Sequence, residues 1–275
     1  MCTFAACKKQ RTMHEKALEN FNKLLGIMND LRSQCPWDRE QTLESLRYLS
    51  IEEVYELSDA ILEGDLDMVK KELGDLLLHV VFYARIGEEK GAFSIADVID
   101  SINSKLVHRH PHIYGNVEAN DAETVKNNWE RIKLGEGKKS VLEGVPMSLP
   151  AMVKAYRIQE KARGVGFDWE KTSQVREKVL EELDELTREL EKGDVPGSRA
   201  EEEFGDLLFA LINYSRFIGI NPEDALEKTN RKFIRRFKHL ENRALQDGRN
   251  LHDMTLAEMD LWWDEAKASE AQQDG

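Results

Sequence analysis

Acidic side chains gather at two places in the sequence, at spacings that suit a bound metal ion. The first place reads EEVYEL at 52–57 and ELGDLL at 72–77, and the second reads EELDEL at 181–186 and EEFGDLL at 202–208. In a helix, residues three or four positions apart share a face, so each segment would present two carboxylates side by side. Mg²⁺ favours such oxygen ligands. The pattern predicts a metal site that pairs Glu52 or Glu53 with Glu56, and Glu72 with Asp75.

A turn between the two acidic segments would bring them to the same height. Glu56 lies eight residues before Gly64, and Glu72 lies eight residues after it. If the two helices fold back antiparallel, at about 1.5 Å rise per residue, four carboxylates converge between them. The second copy keeps this spacing, because Glu185 lies eight residues before Gly193. A solvated helix face with its acids paired to lysines and arginines would explain either cluster alone, but the repetition favours a metal site.

Two other kinds of metal site fit the sequence less well. Di-iron carboxylate proteins carry Glu-x-x-His on two helices. His79 lies one turn past Asp75, but Ala210 stands at the matching place of the second copy. The histidines in and before RHPHIYG (109–115) invite a zinc interpretation, yet Pro111 interrupts their spacing and no cysteine lies near. We therefore expect these histidines to be loop or helix-end residues.

Basic and aromatic residues follow each acidic pair in the same order. The basic segments read NSKLVHR at 103–109 and NRKFIRR at 230–236. Lys232 and Arg236 are four apart, hence on one helix face, and together they suit several negative oxygens of one ligand. Trp263 or Trp262 would stack on a planar base or pack in the core. Metal, phosphate and base contacts together indicate a nucleotide polyphosphate site, although an exposed basic helix face remains the alternative.

Apolar residues recur at helical spacing along nearly the whole chain, and alternation typical of strands is scarce. The segment 134–150 concentrates Gly, Pro and Ser and interrupts this period, as a linker does. Acids, basic segment and tryptophan recur on both sides of it, which indicates an internal duplication. The predicted fold is all-α, with two tandem homologous helical bundles at 15–133 and 151–268 around a linker at 134–150.

Composition narrows the class of protein further. The chain has 275 residues and a formal net charge of −13, so it would repel the backbone of duplex nucleic acid. Cys2, Cys7 and Cys35 form no C-x-x-C pair and no disulfide framework. No apolar run approaches the length of a membrane span. We expect a protein of the reducing cytoplasm.

The chain resembles the MazG family, tandem-domain members of the all-α NTP pyrophosphatase superfamily, from about residue 18 to 267. Besides the acidic and basic segments, the resemblance rests on CPWDREQTLESL (35–46), RHPHIYG (109–115) and KARGVGFDW (161–169). It implies hydrolysis of NTPs and dNTPs to the monophosphate and pyrophosphate. It also implies dependence on Mg²⁺, with Mn²⁺ as an alternative, and a homodimer.

The resemblance further implies a role for individual residues. The implied metal ligands are Glu182, Glu185, Glu203 and Asp206 in the second copy, and Glu53, Glu56, Glu72 and Asp75 in the first. The implied nucleotide contacts are Lys178, Arg199, Lys232, Arg236 and Trp263, with Lys105, Arg109 and Trp129 as first-copy partners. Leu49 stands at the place of Lys178 in the first copy, and Arg235 has no counterpart there. We therefore expect the second copy to be the main catalyst.

The mechanism that follows is metal-assisted hydrolysis. Mg²⁺ held by the carboxylates would polarise the phosphates and lower the pKa of a water molecule. That water, deprotonated by Glu181 or Glu182, would attack the α-phosphorus, while Lys232 and Arg236 stabilise the departing pyrophosphate. The alternative is a non-catalytic helical module that senses nucleotides or recruits a protein partner.

Overall fold

The computed structural model describes residues 4–119, 140–193 and 199–271, together with a few positions between 121 and 135. The chain divides into two compact units, Met1–Glu118 and Ala119–Gly275. The narrower domain limits expected from the sequence stay a prediction, and part of the expected linker at 134–150 lies outside the described residues.

Both units are built from α-helices, and the described ranges contain no strand. The first unit contains α1 (Phe4–Gln34), α2 (Pro36–Glu40), α3 (Leu43–Glu63), α4 (Leu66–Glu89), α5 (Ile95–Arg109) and α6 (Pro111–Tyr114). The second contains α7 (Ala151–Arg163), α8 (Thr172–Glu191), α9 (Arg199–Phe217), α10 (Pro222–Gln246), a 3-10 turn (Leu251–Asp253) and α11 (Leu256–Ala271). The predicted all-α tandem fold is confirmed.

A helical hairpin forms the centre of each unit, α3–α4 in the first and α8–α9 in the second. Helix α3 ends at Gly64, whose φ of 72° lies in the left-handed region that glycine adopts without a steric cost. Asp65 then begins α4, because its side chain accepts hydrogen bonds from the N–H groups of Asp67 and Met68. In the second unit, Gly193 comes directly after Lys192, the C-cap of α8, and has a φ of 81°.

The core of the first unit lies where α1 and α3 pack on α4. Its buried members are Met28, Leu46, Val81, Phe82 and Ile86. In the second unit, α7 and α8 pack on α9, and α10 packs against α7 and α11. Its buried apolar residues include Val175, Ile212, Leu240 and Ala244. Within the described ranges, every helix is too short or too polar to span a bilayer.

Candidate functional site

Three carboxylates converge inside each hairpin. In the second unit, α8 supplies Glu182 and Glu185 from successive turns, and α9 supplies Glu203 from across the hairpin. One oxygen of each lies within 4.8 Å of the others. The first unit gathers Glu53, Glu56 and Glu72 in the same way. The fourth predicted ligand of each copy, Asp206 or Asp75, lies one helical turn further along and outside this group of three.

The acids of the first unit carry more negative charge than their neighbours neutralise. Glu72 is fully buried, and its Oε1 accepts a hydrogen bond from Lys71 Nζ at 2.9 Å. Its Oε2 is buried without a hydrogen-bond partner among the described residues. Burial raises the pKa of Glu53, and the nearby Asp75, Glu56 and Glu72 carboxylates raise it further. A cation bound among these oxygens would relieve the repulsion.

Cationic side chains flank the acids of the second unit. Lys178 Nζ lies 2.7 Å from Glu182 Oε1 and 3.0 Å from Glu181 Oε1. The hydrogen bond to Glu182, followed by that to Glu181, raises the pKa of Lys178 above its ordinary value. Arg199 Nε lies 3.5 Å from Glu203 Oε1. Two of the predicted nucleotide contacts therefore lie beside the carboxylates.

A cavity of about 720 Å³ opens beside these acids. Lys178, Glu182 and Asp206 form one polar edge of it. The apolar lining consists of Val141, Leu142, Ile158, Ala162, Val165, Phe167, Trp169, Phe209 and Ala210. Its volume is typical of pockets that enclose a small organic ligand. Glu182 belongs both to the carboxylate group and to the cavity wall, so the two features form one site.

An ion pair inside the second unit fixes one wall of this cavity. Arg216 donates to both carboxylate oxygens of Asp168, at 2.9 and 2.5 Å, and thereby ties the loop before α8 to α9. The same guanidinium donates to Asn213 Oδ1. Spacing could not reveal this pair, because its members stand 48 residues apart on unrelated elements. The motif KARGVGFDW marked the loop without indicating its partner.

The other nucleotide contacts predicted for the second copy lie on α10 and α11, and among the described residues they do not line the cavity. Arg236 Nε donates to Glu270 Oε2 at 2.8 Å, and its guanidinium lies 5.9 Å from the Trp263 ring. Trp263 packs against Phe233, with ring centroids 5.0 Å apart. Lys232 is exposed on α10. The structure therefore brings Arg236 and Trp263 together, outside the described lining of the cavity.

Histidines do not join the carboxylate groups in the part of the chain that the structure describes. His79 is buried, and its Nδ1 lies 2.9 Å from Ser50 Oγ. Burial lowers the pKa of His79 and so favours the neutral ring. The oxygen-only composition of both groups agrees with a hard divalent cation and gives no support to a zinc or di-iron site.

Comparison with known proteins agrees with this geometry. The MazG nucleotide pyrophosphohydrolase domain matches residues 41–114 and again residues 170–241. A Thermotoga maritima protein named nucleoside triphosphate pyrophosphohydrolase/pyrophosphatase MazG is 45% identical over 255 residues, which are 91% of this chain and 96% of that protein. This chain belongs to the MazG family. The resemblance noted in the sequence is confirmed.

Two further relatives differ in how much of their own length the match covers. The nucleoside triphosphate pyrophosphohydrolase of Escherichia coli K12 is 40% identical over 92% of this chain and 99% of that protein. A Bacillus subtilis protein described as uncharacterized is 47% identical over 93% of this chain but only 53% of its own length. Each MazG match contains one acidic hairpin. The second match begins at residue 170, so α7 and the Asp168 loop lie outside it.

Proposed function

We propose that the chain hydrolyses nucleoside and deoxynucleoside triphosphates to the monophosphate and pyrophosphate, and that the second unit is the main catalyst. The observation that carries the proposal is the position of Glu182, which belongs to the carboxylate group and also lines the cavity. Lys178 stands at the same edge and supplies positive charge for a polyphosphate. Membership of the MazG family and the names of the two pyrophosphohydrolase relatives support the same reaction.

The proposed cofactor is Mg²⁺, with Mn²⁺ as an alternative. The fit rests on carboxylate oxygens within 4.8 Å of one another and, in the first unit, on the buried Oε2 of Glu72 that lacks a partner among the described residues. Glu182, Glu185 and Glu203 would hold the cation, and Asp206 would join them from the next turn of α9. When bound, the cation would polarise phosphate oxygens and lower the pKa of water.

The side chains of the chain would position the substrate and accept the proton. Lys178 holds Glu181 and Glu182 in place through hydrogen bonds, and its ammonium group would turn toward the phosphates of a bound nucleotide. Glu181 or Glu182 would accept the proton of the attacking water. The water oxygen bonds to the α-phosphorus, the bond from that phosphorus to the bridging oxygen breaks, and pyrophosphate leaves. Arg199, Lys232 and Arg236 are the cations proposed to stabilise the leaving group.

The rival function is a non-catalytic module that binds nucleotides or a basic partner through its acids. The first unit fits that description better than the second. Its carboxylates converge, but Leu49 stands where the second unit has Lys178. Whether a substitution among the acids abolishes turnover or merely weakens binding separates the two functions.

Product analysis with a panel of NTPs and dNTPs and Mg²⁺ tests the reaction. The wild-type chain should release monophosphate and pyrophosphate, and Glu182→Gln should lower kcat by at least about 100-fold, as expected when a charged group acting on the transition state is removed. Glu191→Gln, an exposed residue at the end of α8, is the matched control. A larger loss in Glu53→Gln would move the chemistry to the first unit. Absence of turnover with every nucleotide would favour the non-catalytic module.

Hydrolysis in water enriched with ¹⁸O tests the position of attack. Attack at the α-phosphorus places the label in the monophosphate. Label in the pyrophosphate, or release of orthophosphate, would contradict the proposed mechanism even if turnover is rapid.

An exposed apolar stripe supports the proposed homodimer. Five apolar positions recur on the two hairpins, 129 residues apart on α3 and α8 and 131 apart on α4 and α9. All are exposed in both units: Ile51, Val54, Leu73, Leu77 and Val80 in the first, and Leu180, Leu183, Phe204, Leu208 and Leu211 in the second. We name these residues the hairpin stripe. A second copy carrying the same stripe would cover it in a self-complementary interface.

The proposed location is the cytoplasm. It rests on the cysteine pattern, which includes no C-x-x-C pair, and on Cys35 being a free thiol in the structure.

A further inference from the structure

The cavity of the second unit contains a buried hydrogen-bond acceptor that lacks a partner. Gln159 on α7 is only 6% exposed and lines the cavity. Its Nε2 donates to the backbone oxygen of Phe209 at 2.8 Å, which fixes the orientation of the amide. Its Oε1 is buried and has no hydrogen-bond partner among the described residues. Buried polar groups of proteins are nearly always paired, so this oxygen points to a ligand.

Asn213 on α9 offers the complementary group to the same cavity. Its Oδ1 accepts hydrogen bonds from Arg216 Nε at 3.2 Å and from Nη2 at 2.9 Å. The guanidinium is in turn held by Asp168. Because the oxygen of Asn213 is engaged by donors, its amide NH₂ is the group left to donate to a ligand.

The internal duplication shows what these two residues replace. The paired acids Glu72 and Glu203 are 131 residues apart, and the same offset takes Phe82 to Asn213. On the first helix of each unit, Arg32 and Arg163 are also 131 apart, and this offset takes Met28 to Gln159. Arg32 contacts the backbone of Asp38, and Arg163 Nε lies 3.8 Å from Asp168 Oδ2, so in each unit the matching arginine contacts the segment that follows its helix.

The first unit packs apolar side chains at both equivalent places. Met28 and Phe82 are 1% and 3% exposed and belong to one core cluster. The second unit therefore has two amides facing a cavity at places that hold core side chains in the first. Gln159 Oε1 is left unpaired at a place where the first unit has a core methionine, and burying this oxygen costs free energy unless a ligand pairs with it.

We propose that Gln159 and Asn213 recognise the edge of the nucleobase, and that the first unit cannot do so. Gln159 Oε1 would accept an N–H of the base, and the Asn213 amide would donate to a ring nitrogen or carbonyl oxygen of the base. The apolar lining, including Trp169 and Phe209, would contact the faces of the ring. Every canonical base carries an N–H next to an acceptor, so the two amides favour a nucleobase over an apolar group rather than one base over another. This inference rests on the proposed function.

A substrate analogue that lacks one functional group of the base tests the role of Gln159. Purine riboside triphosphate is ATP without the 6-amino group, and its base has no N–H. The wild-type kcat/KM should be at least about tenfold lower for this analogue than for ATP, because the buried oxygen of Gln159 stays unpaired. In Gln159→Met, which installs the residue of the first unit, the two substrates should become equal. A gap of the same size in the variant, or no gap in the wild type, would overturn the proposal.

A second analogue tests Asn213 independently. 1-Deaza-ATP keeps the amino group but lacks the ring nitrogen that would accept from Asn213. Asn213→Leu should close the gap between ATP and 1-deaza-ATP while the gap between ATP and purine riboside triphosphate remains. Gln246→Met, an exposed glutamine at the end of α10, should keep both gaps. Closure of both gaps by either variant alone would indicate general disruption of the cavity and would overturn the assignment of separate roles.

The outcome separates this inference from the function on which it rests. If the wild type releases no pyrophosphate from any triphosphate, the proposed function fails. If it releases pyrophosphate from ATP and from both analogues at equal kcat/KM, the reaction stands and base recognition by these amides is wrong.

Discussion

Lys178 is the residue whose chemistry differs most between the two carboxylate groups. Its ammonium pairs with the buried Glu182 and with the exposed Glu181. The first unit has Leu49 at this place and leaves its own acids to Lys71, one residue before Glu72. Lys178 lines the cavity and can contact a polyphosphate there. Lys71 lies beside Glu72 and Asp75 and mainly neutralises them.

Replacing Lys178 by the leucine of the first unit should therefore impair catalysis. We expect Lys178→Leu to lower kcat/KM for ATP by at least about tenfold, because a hydrogen bond to a charged group contributes about 1.5–3 kcal/mol. Lys238→Leu, which changes an exposed lysine on α10, serves as the control in the same steady-state assay. Equal rates for the two variants would show that Lys178 has only a structural role.

Phe82 and Asn213 should contribute very differently to stability although they occupy equivalent places. Phe82→Ala would leave a void in the core of the first unit and should lower the free energy of unfolding by about 3–5 kcal/mol. Asn213→Ala borders an existing cavity and removes one acceptor of Arg216, so its cost should be about 1 kcal/mol. Urea titration followed by circular dichroism measures both. Similar losses would mean that the cavity wall is packed as tightly as the core.

Residues of the site differ in how far the sequence reveals them. The carboxylates were predictable because helical spacing and a glycine turn fix their positions locally. Gln159, Asn213 and Asp168 were not, since three separate elements bring them together and their side chains follow no shared period. Met28 and Gln159 stand at matching places of the duplication and both are buried, so only what surrounds each side chain distinguishes core from cavity.

Helix α11 begins with a reciprocal hydrogen-bond arrangement. Thr255 donates from its N–H and Oγ1 to Glu258 Oε2, at 2.8 and 2.9 Å. Arg249 donates to the other oxygen at 2.6 Å. The backbone N–H of Thr255, then Arg249 and the Thr255 hydroxyl, lower the pKa of Glu258 from 4.5 to about 2. The helix that carries Trp263 and Glu270 is thus held at its start by a charged group.

This lowered pKa predicts how the contribution of Glu258 depends on pH. Because the pKa of the folded state is lower than that of the unfolded state, Glu258 stabilises the fold above pH 4.5 and loses this effect as pH falls toward about 2. The melting temperature of Glu258→Gln should lie below that of the wild type at neutral pH, and the difference should shrink below pH 4.5. Glu191→Gln, measured in parallel, is the control variant. A difference that does not change with pH would contradict the assignment.

The basic residues of α10 make a contact that the sequence of this helix does not predict. The spacing of Lys232 and Arg236 indicates one helix face, and the structure has both on α10. Glu270 on α11 binds Arg235 and Arg236, at 2.6 and 2.8 Å, and no spacing in the sequence indicates this contact, because it depends on how two helices pack. A nucleotide that uses Arg236 must therefore compete with Glu270.

For the whole molecule, the tandem organisation predicts that both units respond to a divalent cation. The melting temperature should be higher in Mg²⁺ than in EDTA. A ligand present at 100 times its dissociation constant raises the free energy of unfolding by about 2.7 kcal/mol. Combining Glu182→Gln with Glu203→Gln should remove part of this shift, and combining Glu53→Gln with Glu72→Gln should remove another part. Scanning calorimetry measures these shifts. A full Mg²⁺ effect in both double variants would place the cation elsewhere.

The hairpin stripe predicts the assembly of the molecule. Changing Leu183 and Leu208 to Glu together should shift the chain from dimer to monomer, because charges at a buried apolar contact carry a large desolvation cost. Light scattering coupled to size-exclusion chromatography reports the mass directly. Leu256→Glu, at an exposed leucine outside the stripe, should leave the dimer intact. A wild-type chain that elutes as a monomer would refute the proposed dimer.

The unpaired oxygen of Gln159 has a consequence for inhibitor chemistry. An uncharged heterocyclic compound with one N–H could satisfy this acceptor within the apolar lining without a triphosphate and without the cation. Since Met28 and Phe82 fill the equivalent place in the first unit, such a compound would bind with a stoichiometry of one per chain. The carboxylate groups, which both units share, could not offer that selectivity.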